Sequence, residues 1–438
     1  MKRQNANEVM MKYKLDLKEA KDKIRNTIDE LLNHKQHSGS IIVAINSNTI
    51  YKNYFGYADI LKKIPISQDT QLLAGSVTKQ FAAVAILRAL YDKITYKNDH
   101  EEIKDIIQNE LNYTIDHYLP LEHDIWNGSM PTWANTVTIH QLLVHSSGIT
   151  NYTSLPDFEK QKFLKDSDIV SFFKNHELEF TSGEKFSYSN SGYYLLGIII
   201  QQITQQRLDT YLEKTFFDPL QMRSTFLAIQ GTVDDLIRSD ARFSHLARGY
   251  QYEIAEQHTN LKEINRYESM EVPGAGGSLI STAEDLLKWN NALYNGKIIP
   301  TFLLELFLKP YLVTESADAY YGYGIEIMQS DILGKYYSHR GGIPGFRSIL
   351  TYIPLLQISI VTLQNIAADP EKIMPDVEKI KADIPKTLSP EESMQELTKR
   401  IEDKYPNINQ NKKRYELSPV YDAIIKAIES VCILKSPD

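Results

Sequence analysis

Three short pairs hold the reactive side chains of this chain: Ser76 with Lys79, Tyr188 with Asn190, and His339 with Gly341. Ser76 and Lys79 stand three apart, so on a helix they share one face. The residues that follow, 81–87, are wholly apolar, and a helix without a polar stripe is buried on most sides. An amine drawn into such a place loses its water and its pKa falls. A desolvated lysine beside a hydroxyl is one way to make a serine nucleophilic. Spacing alone does not single out the pair, because Ser171 with Lys174 and Ser182 with Lys185 repeat it. Ser171 lies in a polar amphipathic stretch and Ser182 in a turn-like Thr181-Ser182-Gly183-Glu184-Lys185. Only Ser76 fronts an apolar helix.

The elements that must position these groups follow from periodicity and turn chemistry. Residues 16–34 place Leu17, Ala20, Ile24, Ile28 and Leu31 at helical spacing among charges. Segments 41–45 and 49–57 read as strands joined by Asn46-Ser47-Asn48, a hairpin. Helices are predicted over 71–92, 101–111, 158–178 and 192–214, and a polar loop carries Tyr188 and Asn190. Gly274 to Gly277 is a flexible turn, and Thr282 caps the next helix. Strands follow at 322–328, 335–339, 348–353 and 358–364, then helices at 369–384, 393–404 and 420–432. Apart from its one helix, 94–136 reads as a solvated surface insertion without catalytic logic.

Strands at both ends and a helix-rich middle predict an α+β fold. An antiparallel sheet is built from both chain ends and flanked by terminal helices, with a mainly helical domain inserted. Residues 16–65 and 275–384 form the sheet domain, 66–274 the insert, and 385–438 a C-terminal helical extension. The cleft between the two parts is where a site belongs.

Composition narrows the classes. The 438 residues are 42% hydrophobic and 24% charged, an ordinary globular balance. A net charge of -8 with scattered basic residues argues against nucleic acid as a partner. The single cysteine, Cys432, allows no internal disulfide and fits a reducing compartment. No apolar run is long enough to span a bilayer, and Met1-Lys2-Arg3 leads into polar sequence rather than a signal peptide. A cytoplasmic location is the expectation. There is no His-Glu-x-x-His, no cysteine cluster and no Gly-x-Ser-x-Gly elbow, so neither a metal nor another cofactor is expected.

Taken together, the three pairs resemble the serine β-lactamase and penicillin-binding protein superfamily, most nearly its class C β-lactamase, D-alanyl-D-alanine carboxypeptidase and esterase branch. Further stretches share the resemblance: Leu142-Leu143-Val144-His145-Ser146-Ser147-Gly148-Ile149, Gly183-Glu184-Lys185-Phe186-Ser187-Tyr188-Ser189-Asn190, Gly276-Gly277-Ser278-Leu279 and His339-Arg340-Gly341-Gly342. It covers residues 16–384 and leaves 385–438 outside. The resemblance implies that Ser76 attacks a carbonyl to form an acyl-enzyme and that Lys79 takes or relays the hydroxyl proton. It implies a partly ionised Tyr188 as base and then acid, and Asn190 as the group orienting Lys79 and substrate. The backbone N–H groups of Ser76 and Gly342 would form the oxyanion hole, with Gly341 and Gly342 lining the substrate strand.

One departure bears on specificity. Many penicillin-recognising relatives carry Lys-Thr-Gly where this chain has His339-Arg340-Gly341, and that lysine helps bind a carboxylate. Histidine is mostly neutral at pH 7, and Arg340, as its strand neighbour, faces the other side. Esterase-like hydrolysis of a small ester, amide or peptide is therefore expected over efficient β-lactam hydrolysis. Two rivals stay open: a D-alanyl carboxypeptidase, penicillin-binding protein or β-lactamase, and a weakly active fold used for binding, with a protein partner recruited through the C-terminal extension. His145 reads as a structural residue at a helix end rather than a base.

Overall fold

The computed structural model describes residues 17–32, 37–94, 100–155, 158, 165–228, 233–254, 259–264, 274–314, 319–368, 383–385, 396–397, 399–400 and 418–431. Helix α1 (Leu17–Leu32) leads into strands β1 (Gly39–Ile45) and β2 (Asn48–Phe55). Six more strands come from the far end of the chain: β3 (Leu312–Val313), β4 (Ala319–Tyr321), β5 (Glu326–Ser330), β6 (Gly334–Ile343), β7 (Phe346–Ile353) and β8 (Ile358–Gln364). They form one sheet in the order β3-β4-β5-β6-β7-β8-β1-β2, each pair antiparallel. The two chain ends meet where β1 pairs with β8, with Ile41 opposite Thr362 and Val43 opposite Ile360. Every residue of β1 and β8 is buried, because both faces of the sheet are covered.

Alternation along β1 assigns those faces. Ile41, Val43 and Ile45 join a core with Ala20, Ile24 and Ile28 of α1 and with Val420, Ile424 and Ile428 of α7 (Ser418–Val431). Ile42 and Ala44 point the other way, into the main core. Val420, Ile424 and Ile428 are at most 1% exposed, and each such side chain is worth about 1.5–3 kcal/mol when fully buried. The C-terminal extension, outside the family resemblance, thus supplies a helix that roofs the sheet, in line with the expected terminal helices. The apolar stripe of α7 packs on α1 and the sheet.

The main core belongs to α2 (Thr78–Lys93), α3 (His100–Leu111), α4 (Ile139–Leu143), α5 (Asn190–Thr204) and α6 (Ala283–Tyr294). The described residues of 94–136 do not form a solvated insertion: Ile103, Ile107, Trp126 and Trp133 are all buried in that core. Amphipathic spacing on a charged background hid this contribution. The region before Gly274 also contains a hairpin, Tyr250–Ile254 with Thr259–Glu263, which pairs in parallel with Ile366–Ala368. The insert is therefore mainly but not wholly helical. The helices expected over 369–384 and 393–404 lie, wholly or for the most part, outside the described residues. Among the described residues, no helix is long and apolar enough to cross a membrane.

Candidate active site

Ser76 lies in a short 3-10 turn, Gly75–Val77, that runs directly into α2, rather than on the α-helix itself. The turn is fastened from three sides. Thr78 Oγ1 donates to Gly75 O at 2.6 Å and accepts from Leu279 N at 3.0 Å. Ala74 O accepts from Ser348 Oγ of β7 at 2.6 Å. Gly75 has a φ of +52°, and a Cβ placed on it would stand 2.9 Å from the Gly342 nitrogen. Gly341 is tighter still: its Cβ would meet Ala74 O at 2.0 Å and Ser348 Oγ at 2.2 Å. Two facing glycines therefore let β6 lie against the turn that carries Ser76. Beyond the Glu326–Ser338 pair β5 no longer accompanies β6, so, among the described residues, 339–343 have no strand partner on that side.

Lys79 is fully buried, with Nζ 3.1 Å from Ser76 Oγ. The amine donates to Asn190 Oδ1 at 2.8 Å and to Gly276 O at 2.7 Å. Burial holds its pKa well below the ordinary 10.5, so the neutral amine is favoured. Asn190 opens α5 and is itself held, Nδ2 donating to Thr153 Oγ1 at 3.1 Å and its backbone N–H to Asn151 Oδ1 at 3.1 Å. Tyr188 is hydrogen-bonded to Ser76, and Lys79 Nζ stands 4.8 Å from the centroid of its ring. Burial pushes the phenol well above its usual pKa of 10.0; the Ser76 bond pulls it back in part and the Glu326 charge adds to the rise. Desolvation disfavours the phenolate, which runs against the expectation of a partly ionised Tyr188.

His339 is brought to the same region but not into the open cleft. It is 1% exposed, with Nε2 accepting from Tyr321 OH at 2.9 Å and Nδ1 donating to Arg340 O at 2.8 Å. Burial lowers its pKa to about 3. The imidazole is thus neutral and both nitrogens are engaged. Arg340 does point away, toward α7, with its guanidinium 4.0 Å from Asp422 and over the ring of Tyr421. His145 is buried beside Tyr188, Tyr193 and Tyr321, where burial holds it well below the usual 6.5.

Three participants escaped sequence reasoning. Gly276 supplies a carbonyl to Lys79, Tyr193 puts its ring 5.4 Å from the amine, and Tyr321 fixes His339. Gly276 was within a stretch already resembling the family; nothing local distinguishes Tyr193 and Tyr321 among 27 tyrosines.

An α+β fold with a buried amine against a serine hydroxyl defines the β-lactamase/transpeptidase-like class of serine hydrolases. The model of the Beta-lactamase family matches residues 24–381, and the chain belongs to that family. Penicillin-binding protein 4* of Bacillus subtilis is 26% identical over 364 residues, 81% of this chain and 74% of that protein. Among solved structures, D-amino acid amidase from Ochrobactrum anthropi superimposes with a TM-score of 0.65 at 21% identity, covering 94% of this chain and 99% of the other. EstCE1, described as a hydrolase with promiscuous acyltransferase activity, gives a TM-score of 0.61 at 20% identity over 80% of this chain and 94% of its own.

Proposed function

We propose that the chain hydrolyses a small ester or amide through an acyl-enzyme on Ser76. The observation that carries this reading is the Lys79 amine 3.1 Å from Ser76 Oγ with two carbonyl acceptors on its other sides. A neutral amine has two N–H groups. Asn190 Oδ1 and Gly276 O take both, so the lone pair is left for the serine hydroxyl. The Ser76 proton passes to Lys79 as Oγ attacks the carbonyl carbon. The oxyanion is received by the N–H groups of Ser76 and Gly342, each such donor being worth about 2.7–4 kcal/mol in the transition state. Tyr188, protonated and bonded to Ser76, hands a proton to the departing alcohol or amine and is reprotonated from Lys79. Water then attacks the acyl-enzyme with the same groups in reverse.

His339 supports the esterase-like preference, because a neutral imidazole tied to Tyr321 offers no charge to a substrate carboxylate. A fluorophosphonate probe is expected to add its mass to Ser76 of the wild type and not to Ser76→Ala. Equal labelling of both rejects the assignment. p-Nitrophenyl acetate is expected to turn over faster than nitrocefin, and efficient nitrocefin hydrolysis would overturn the reading of His339.

A further inference from the structure

We infer that His145 is the positioning residue for the Tyr188 phenol, a role that rests on the reading of Tyr188 as the proton carrier above. The argument begins at the end of α4. Ser146 N donates to Gln141 O at 2.9 Å and His145 N to Leu142 O at 3.4 Å, the bond pattern of a Schellman motif. His145 occupies the left-handed position of that motif, with φ +58°. Glycine would sit there unstrained, so a histidine in that place carries a backbone cost that its side chain must justify.

The side chain and carbonyl of His145 grip the chain on both sides of Tyr188. Ser187 N donates to His145 O at 2.8 Å, and Ser189 N donates to His145 Nδ1 at 3.1 Å. Between those two bonds the imidazole lies 4.2 Å from the Tyr188 ring, centroid to centroid, at 34°. Backbone before, backbone after and ring face are thus all set by one residue. Because Nδ1 accepts from an amide, the hydrogen sits on Nε2. That nitrogen is buried and has no hydrogen-bond partner among the described residues. His145 therefore cannot take up the serine proton through Nδ1, and it contacts the phenol rather than Ser76. It acts through Tyr188.

The test separates the acceptor from the ring. His145→Asn keeps an acceptor near Nδ1 and tolerates left-handed φ, whereas His145→Phe keeps the ring and loses the acceptor. Phenyl acetate needs a proton for its leaving group and p-nitrophenyl acetate scarcely does. In His145→Phe, kcat on phenyl acetate is expected to fall about 10²-fold, the loss typical of a small misplacement of a reacting group. KM should stay within about threefold, since a positioning residue acts on kcat alone. The loss on p-nitrophenyl acetate should be smaller, Tyr188→Phe should show the same split, and His145→Asn should recover most of the rate. A Phe variant as fast as wild type, equal losses on both esters, or an Asn variant that melts like wild type yet loses as much rate would overturn the proposal. Should the Phe variant fail to fold, the Asn result alone decides. Failure of the fluorophosphonate to label wild-type Ser76 would instead sink the underlying reading of the site.

Discussion

At Lys79 a single amine is asked to be uncharged in a protein at neutral pH, and burial is what makes that possible. Removing its water disfavours the ammonium, while two carbonyl oxygens hold the nitrogen in place without supplying negative charge. The sign follows directly: activity is lost as pH falls through the lowered pKa of Lys79, not as it falls through 10.5. The rate of Ser76 labelling is therefore expected to reach its plateau well below pH 10.5 and to drop on the acid side of it. A rate that climbs tenfold per unit up to pH 10 would mean an ordinary lysine. Lys79→Arg, which keeps a charge that cannot be released, should cost about 10²–10⁴-fold, the range of general acid–base catalysis.

Strand β6 and the Ser76 turn form a unit whose tolerance is set by two glycines with opposite surroundings. A methyl on Gly341 has nowhere to go, since Ala74 O and Ser348 Oγ stand 2.0 and 2.2 Å from it. One on Gly342 meets only the Arg347 side chain, at 3.5 Å or more. Gly341→Ala should push the turn off the strand, at about 1–3 kcal/mol of stability and with loss of acylation. Gly342→Ala keeps its N–H and should melt like wild type and still acylate. Thermal melts and labelling rates of the two variants check this, and a harmless Gly341→Ala would mean that turn and strand are not in contact. Strands were expected at 335–339 and 348–353 and helices at 16–34 and 420–432, which match parts of β6, β7, α1 and α7. The end of β6 that meets the turn lay beyond the expected strand. The packing of 94–136 and the hairpin at 250–263 were not expected. Their apolar residues gain partners only from segments far away in sequence.

Across the whole molecule, burying histidines in neutral form ties stability to pH. His339 has a pKa of about 3 when folded against an ordinary 6.5, and His145 is shifted in the same direction. The unfolded chain takes up these protons first, so stability is full above pH 6.5 and declines as pH falls toward the folded value. Each such histidine contributes a slope of about 1.4 kcal/mol per pH unit in that window. Denaturant unfolding at pH 7, 6 and 5 should show the decline, and His339→Gln should make it shallower. A pH-independent unfolding free energy would mean that these imidazoles are hydrated.

By itself the sequence pointed to the side chains that could react and to an α+β fold. Ser76, Lys79, Tyr188 and Asn190 stand out by their local context and the likeness of their motifs to a family, and helix and strand periods are local as well. Tertiary structure alone decided their protonation and their supports. An amine becomes neutral, a phenol stays protonated and an imidazole is taken out of the cleft only when distant segments exclude water around them. The carbonyl of Gly276, the hydroxyl of Tyr321 and the grip of His145 arrive from remote parts of the chain, and no spacing rule links residues that meet only on folding.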